Sequence, residues 1–209
     1  MGEFPKILRD AHAGDLYSQI KLVQIYRSDG VVPKNFPEAQ KWAHIAVGRG
    51  SPEAAMLLSE MYMKGEGVSI DHLESERLCR LAAEAGFDRA QWSLAKMYLE
   101  GVVLKQDVNA ALKWLNSSAA QGYESAIMDL AEIYETGNVV PQDYVLAYLY
   151  CSLALKADYL GRGKTHPAWA AAVRIKSDLS PDQIQKAEAM EAKVLELRAM
   201  KAITTALNT

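Results

Sequence analysis

Apolar residues recur along much of this chain at helical spacing, and polar or glycine positions interrupt them at regular places. Between residues 87 and 122, Ala90, Leu94, Met97 and Tyr98 fall at i, i+4, i+7 and i+8, one face of a helix predicted from about 88 to 100. Gly101 follows, where such a helix would end in the left-handed conformation. Asp107, whose short carboxylate can accept hydrogen bonds from the free N–H groups of a new helix, precedes a second periodic run, Ala111, Trp114, Leu115 and Ser118. Gly122 closes that run, so the stretch reads as a helical hairpin.

The hairpin recurs. Tyr26, Tyr62, Tyr98 and Tyr134 stand 36 residues apart, as do Leu22, Leu58, Leu94 and Leu130, and Gly14, Gly50, Gly86 and Gly122. Gly65 and Gly137 match Gly101, and Asn35, Asp71 and Asp143 match Asp107. A fixed period of this size marks a stack of small supersecondary elements, none of which can bury its apolar face without a neighbour. The expected fold is all-α: a right-handed superhelical solenoid of four helix-turn-helix repeats with a C-terminal helical cap. The repeats are placed at 13–49, 50–85, 86–121 and 122–158, after an N-terminal lead-in or helical cap at 1–12. A fifth repeat would put Arg162, His166 and Ala170 at the Ala, Leu and Tyr positions, where they do not fit, so capping helices are assigned to 159–209. Within them, a loop over 159–166 leads to a helix that starts at Pro167 and ends near Ser177. Ser180-Pro181-Asp182-Gln183 then opens a long final helix.

Gly65-Glu66-Gly67-Val68-Ser69-Ile70-Asp71, and Ala110-Ala111-Leu112-Lys113-Trp114 with Ala119-Ala120-Gln121-Gly122, resemble the Sel1-like repeat, a TPR-like family, over residues 13–158. The chain departs from the pattern at Ser18 and Asp29 in the first repeat, at Leu78 in the second, and at Tyr150 and Asp158 in the fourth. The resemblance implies a non-enzymatic scaffold or adaptor for complex assembly. Two alternatives stay open: an inhibitor or immunity-type protein that occludes a cognate enzyme or toxin, and an enzyme with a site in the 160–166 loop.

Composition narrows the partners. The 209 residues are 50% hydrophobic and 23% charged, with a net charge of −3 and acidic and basic residues interleaved, which argues against nucleic acid. The one basic spot is Arg162, Lys164 and His166. No apolar run is long enough for a membrane span, and the N-terminus lacks a hydrophobic signal core, so a cytoplasmic location is favoured. A periplasmic or secreted location stays open if Gly2-Glu3-Phe4 replaced a native leader. Cys79 and Cys151 hold equivalent positions in non-adjacent repeats, too far apart for a disulfide at roughly 10 Å per helix layer, and are expected to be small buried residues.

The chemistry-bearing motifs are weak. Gly161-Arg162-Gly163-Lys164-Thr165 ends like a phosphate-binding loop but has Asp158 where the first glycine belongs and no preceding strand. His12, His44, His72 and His166 are isolated, so neither a metal nor another cofactor is expected. The first helices carry the more informative signal. At about 100° per residue, three rows point away from the Ala/Leu/Tyr face toward the concave side. They are Ile20, Met56, Trp92 and Met128; Gln24, Glu60, Lys96 and Glu132; and Arg27, Met63, Leu99 and Glu135. Large apolar anchors bordered by charges describe a groove for a protein or peptide, with Trp92 the leading anchor. The competing reading packs the first row between neighbouring helices. Ile184, Ala187, Met190, Val194 and Leu197 form an apolar stripe on the last helix. A monomer is expected, with dimerisation through that helix as the alternative.

Overall fold

The computed structural model describes residues 3–156 and 165–207, which form eleven helices. They are α1 (Glu3–His12), α2 (Leu16–Arg27), α3 (Phe36–Gly48), α4 (Pro52–Lys64), α5 (His72–Glu84), α6 (Asp88–Glu100), α7 (Val108–Ala120), α8 (Glu124–Thr136), α9 (Tyr144–Lys156), α10 (Pro167–Ser177) and α11 (Pro181–Leu207). The described residues include no strand. The chain is all-α, as the periodicity predicts.

Short polar side chains set the helix starts. Asn35 Oδ1 accepts from the Glu38 N–H (3.1 Å), Asp71 Oδ1 from those of Leu73 and Glu74 (both 3.0 Å), Asp107 Oδ1 from Ala110 (2.9 Å) and Asp143 Oδ1 from Val145 and Leu146 (2.9 and 3.0 Å). Each satisfies donors that a helix start leaves unpaired. At the other end, α4, α6 and α8 stop in the left-handed conformation at Gly65, Gly101 and Gly137. Helix α2 has no such glycine and ends at Ser28 in extended backbone.

The chain divides into two compact units, residues 1–106 and 107–209. In the first, α1 packs on α2, α2 pairs with α3 and α4 with α5, α3 and α2 both touch α4, and α6 lies against α5. Its core holds Leu22, Val23, Trp42, Leu58, Met61, Leu78, Cys79 and Leu94, all 3% exposed or less. Alanines at Ala39, Ala43, Ala82 and Ala83 keep these helices close, because interaxial distance follows side-chain size at the contact. In the second unit, α7 packs on α8, α8 pairs with α9, and both α10 and α11 lie on α9. That load explains the sequence of α9, YVLAYLYCSLALK, apolar nearly all round: a helix covered on several sides has no face to leave polar.

Cys79 and Cys151 are free and buried, as expected. Burial, with Glu76 nearby, pushes the Cys79 thiol up to about 12, and burial with Glu135 pushes that of Cys151 up to about 11. The thiolate is the reactive form. Neither cysteine should therefore be alkylated by iodoacetamide at neutral pH in the native protein, while both react in denaturant; mass spectrometry of the intact chain distinguishes the two states.

Candidate partner-binding face

The first helices of the repeats carry all twelve residues predicted to meet a partner. In the first unit, α4 and α6 border a cleft of about 350 Å³. Its lining includes five of those residues, Met56, Glu60, Met63, Trp92 and Lys96, together with Met97, Ser93, Lys64, Arg89 and Glu100, and the buried Ser59 and Ser75 beneath. The Ser59 hydroxyl donates to the Ser75 carbonyl at 2.6 Å, which ties α4 to α5 under the cleft. Met56 is 5% exposed and therefore contributes to the floor, while Met63, Trp92, Lys96 and Met97 are half-buried. Met63 Sδ lies 3.2 Å from His72 Nδ1.

Ile20, Gln24, Arg27 and Leu99 do not line this cleft. Ile20 is buried at 8% exposure, as the packing alternative for its row has it. Gln24 Nε2 donates to Glu53 Oε1 at 3.3 Å, and Leu99 is half-buried. Arg27 instead anchors the border. Its Nε donates to Glu66 Oε2 at 2.6 Å and its Nη1 to Glu60 Oε2 at 3.1 Å, while Arg89 Nη2 donates to the other oxygen of Glu60. Burial works against the Arg27 charge, but the hydrogen bonds and charges of Glu66 and Glu60 outweigh it and push the guanidinium further up. This chain of charges links α2, α4, the turn after α4 and α6.

In the second unit, Met128, Glu132 and Glu135 line a cleft of about 530 Å³ with Asp129, Tyr144, Cys151 and Arg174. Arg174 Nε donates to Glu135 Oε1 at 3.0 Å; that bond, then the Glu135 charge, pushes the guanidinium up. Glu66, Arg89 and Arg174 escaped the sequence reading. Glu66 and Arg89 occupy repeat positions outside the three rows, and Arg174 comes from α10, beyond the repeats, where the 36-residue register offers no guide.

The 160–166 region offers little. Residues 160–164, including Arg162, Lys164 and most of the phosphate-loop-like string, lie outside the described residues. His166 is buried at 1% exposure: its Nδ1 accepts from the Ala168 N–H at 3.0 Å, capping α10, and its Nε2 stands 3.3 Å from Glu124 Oε1. It is a packed cap and no surface cation. Among the described residues no group of three His, Cys, Asp or Glu side chains is placed to hold a metal ion, and no helix is long and apolar enough to cross a membrane.

These features define a class, the helical-hairpin repeat proteins. The Sel1 repeat family model matches residues 25–51, 52–87, 88–123 and 124–159, and the chain belongs to that family, whose repeats commonly mediate protein–protein interaction. Among solved structures, the chain is similar to c5321, a protective antigen present in uropathogenic Escherichia coli strains that displays an SLR fold. The two share 25% identity with a TM-score of 0.77 over 98% of this chain and 43% of that one. It is also similar to a Sel1 repeat protein from Oxalobacter formigenes, at 25% identity and a TM-score of 0.72, over 91% of this chain and 78% of the other. This chain thus spans less than half the length of the first. No curated protein matches it.

Proposed function

We propose that the protein is a non-enzymatic scaffold or adaptor that holds a partner protein or peptide on the face formed by the first helices of its repeats, with Trp92 as the principal anchor. The observation that carries this reading is the cleft between α4 and α6, where Trp92 and three methionines meet beside a charged border. Tryptophan concentrates binding energy at interfaces, and methionine adapts its shape to an incoming apolar group. Ile20, Gln24, Arg27 and Leu99 act as the supports of that face, and Met128, Glu132 and Glu135 supply its counterpart in the second unit.

The test is a pull-down from the native organism analysed by mass spectrometry, repeated with the double substitution Trp92→Ala and Lys96→Glu. The captured partner should be lost, by about tenfold or more if Trp92 is a hot spot, while helicity and melting temperature stay at wild-type values. Unfolding of the double variant would show that Trp92 serves the core and would remove the anchor from the proposal.

A further inference from the structure

We propose that Met63 and Met97 are a modification site: a peroxide oxidises their thioethers to sulfoxides, and the oxidised cleft between α4 and α6 releases its partner. The proposal rests on the reading of this face as a docking face, and it adds the regulation of that face.

Placement sorts the described methionines of the first unit into two pairs. Met56 and Met61 are 5% and 0% exposed, closed off from an oxidant in the folded chain. Met63 and Met97 are half-buried and line the same cleft of about 350 Å³ as Trp92. That volume is about ten times the share of one water molecule in the liquid, so hydrogen peroxide has room to enter. The cysteines do not compete for it. Cys79 in this unit and Cys151 in the second are both 0% exposed, and burial pushes their thiols up to about 12 and about 11, which leaves almost no reactive thiolate at neutral pH. A thioether needs no ionisation to react.

The step balances with the peroxide alone. A sulfur lone pair attacks one peroxide oxygen, the S–O bond forms as the O–O bond breaks, and the other oxygen leaves as water with both hydrogens. Sulfur loses two electrons and the peroxide gains them. The product replaces a flexible apolar side chain by a polar one. At Met63 the new oxygen has a donor at hand, because His72 Nδ1 stands 3.2 Å from Sδ and an imidazole N–H there can hold the oxidised side chain on His72 rather than on a partner. An apolar group pressed onto the oxidised wall must strip water from a sulfoxide oxygen, which costs affinity.

Peptide mapping after brief treatment with dilute hydrogen peroxide locates the oxidation. Met63 and Met97 should gain oxygen about tenfold or more faster than Met56 and Met61, which react only when the fold opens locally. The functional readout is capture, in the native pull-down, of the protein whose capture depends on Trp92. Treatment should weaken that capture about tenfold, the scale of one unpaired polar group at an interface. Helicity should stay unchanged, and methionine sulfoxide reductases of both epimer specificities should restore capture. In the doubly substituted Met63→Leu, Met97→Leu protein, the capture that remains should no longer respond to peroxide, although Met128 of the second unit, also half-buried, is still open to oxidation. If that variant captures nothing, restoration of the wild type by the reductases decides, and failure to restore overturns the proposal. Equal oxidation of the four methionines, capture that survives oxidation of Met63 and Met97, or a response that persists in the double variant overturns it as well. In those cases the docking face stands as long as Trp92→Ala still abolishes capture. Capture that survives Trp92→Ala, or the absence of any Trp92-dependent partner, overturns the docking face and the proposal together.

Discussion

Replacing Leu94 by Ala should lower the unfolding free energy by about 2–5 kcal/mol, the range for a large-to-small change at a buried site. Leu94 is 0% exposed, flanked in α6 by the equally buried Ala90 and Ala95, neither of which has side chain to spare for filling the space. The leucine repeats at Leu22, Leu58 and Leu130, each 0% exposed, so the same change there should be costly as well. Leu81 provides the contrast. It lies on α5 at 45% exposure, and Leu81→Ala should stay within about 0.5 kcal/mol of wild type. Denaturant titration followed by circular dichroism measures both, and a negligible loss for Leu94→Ala would contradict its place in the core. Because hairpins in such arrays depend chiefly on their neighbours, the loss should appear first as faster hydrogen exchange in α5 and α6.

What could be read without coordinates is what the repeat makes local. Leu94 and Ala90 were legible because helical spacing and the 36-residue interval pointed to the same face, and Asp107 because a helix start needs an acceptor within a few residues. The final helices were legible through Pro167 and Pro181, which fit a first turn and little else. Less was visible where burial depends on distant chain. Met97 and Tyr98 fall on the predicted core face, yet both are half-buried. Tyr98 leaves its hydroxyl to accept from Arg80 Nη2 at 3.2 Å, and Met97 lines the cleft. The apolar circumference of α9 makes sense only once α10 and α11 are seen to lie on it.

The candidate face was partly legible for the same reason. Repeat register brings Met56 and Trp92 to equivalent places, and the cleft contains both. It does not say which of two equivalent residues stays accessible: Met56 is buried while Trp92 keeps part of its surface. Nor does it reveal charge pairing. Arg27 meets Glu66 across 39 residues, and Arg89 meets Glu60 across 29, separations that follow no helical period. These pairs join Arg27, Glu60, Glu66 and Arg89 into one network along the border of the cleft.

The turn that carries Glu66 gives the second large effect. Gly67 has φ of +77°, and a methyl group added there would lie 2.7 Å from Cβ of Phe36 and 3.1 Å from its carbonyl carbon. Phe36 is the first residue of α3, so the turn of the second repeat presses directly on the helix start of the first. Gly67→Ala should cost about 2–4 kcal/mol, from the left-handed backbone and the steric overlap together. Gly86 separates the two contributions: its φ is +90° and a methyl group there would meet nothing within 4 Å, so Gly86→Ala should cost only the backbone strain of about 1–2 kcal/mol. Equal losses for the two would mean that the Phe36 contact yields easily. Because Glu66 precedes Gly67 and holds Arg27, relief of the overlap by moving the turn should also free Arg27 from that carboxylate. Gly67→Ala, unlike Gly86→Ala, should then alter partner capture in the pull-down under conditions where both variants remain folded.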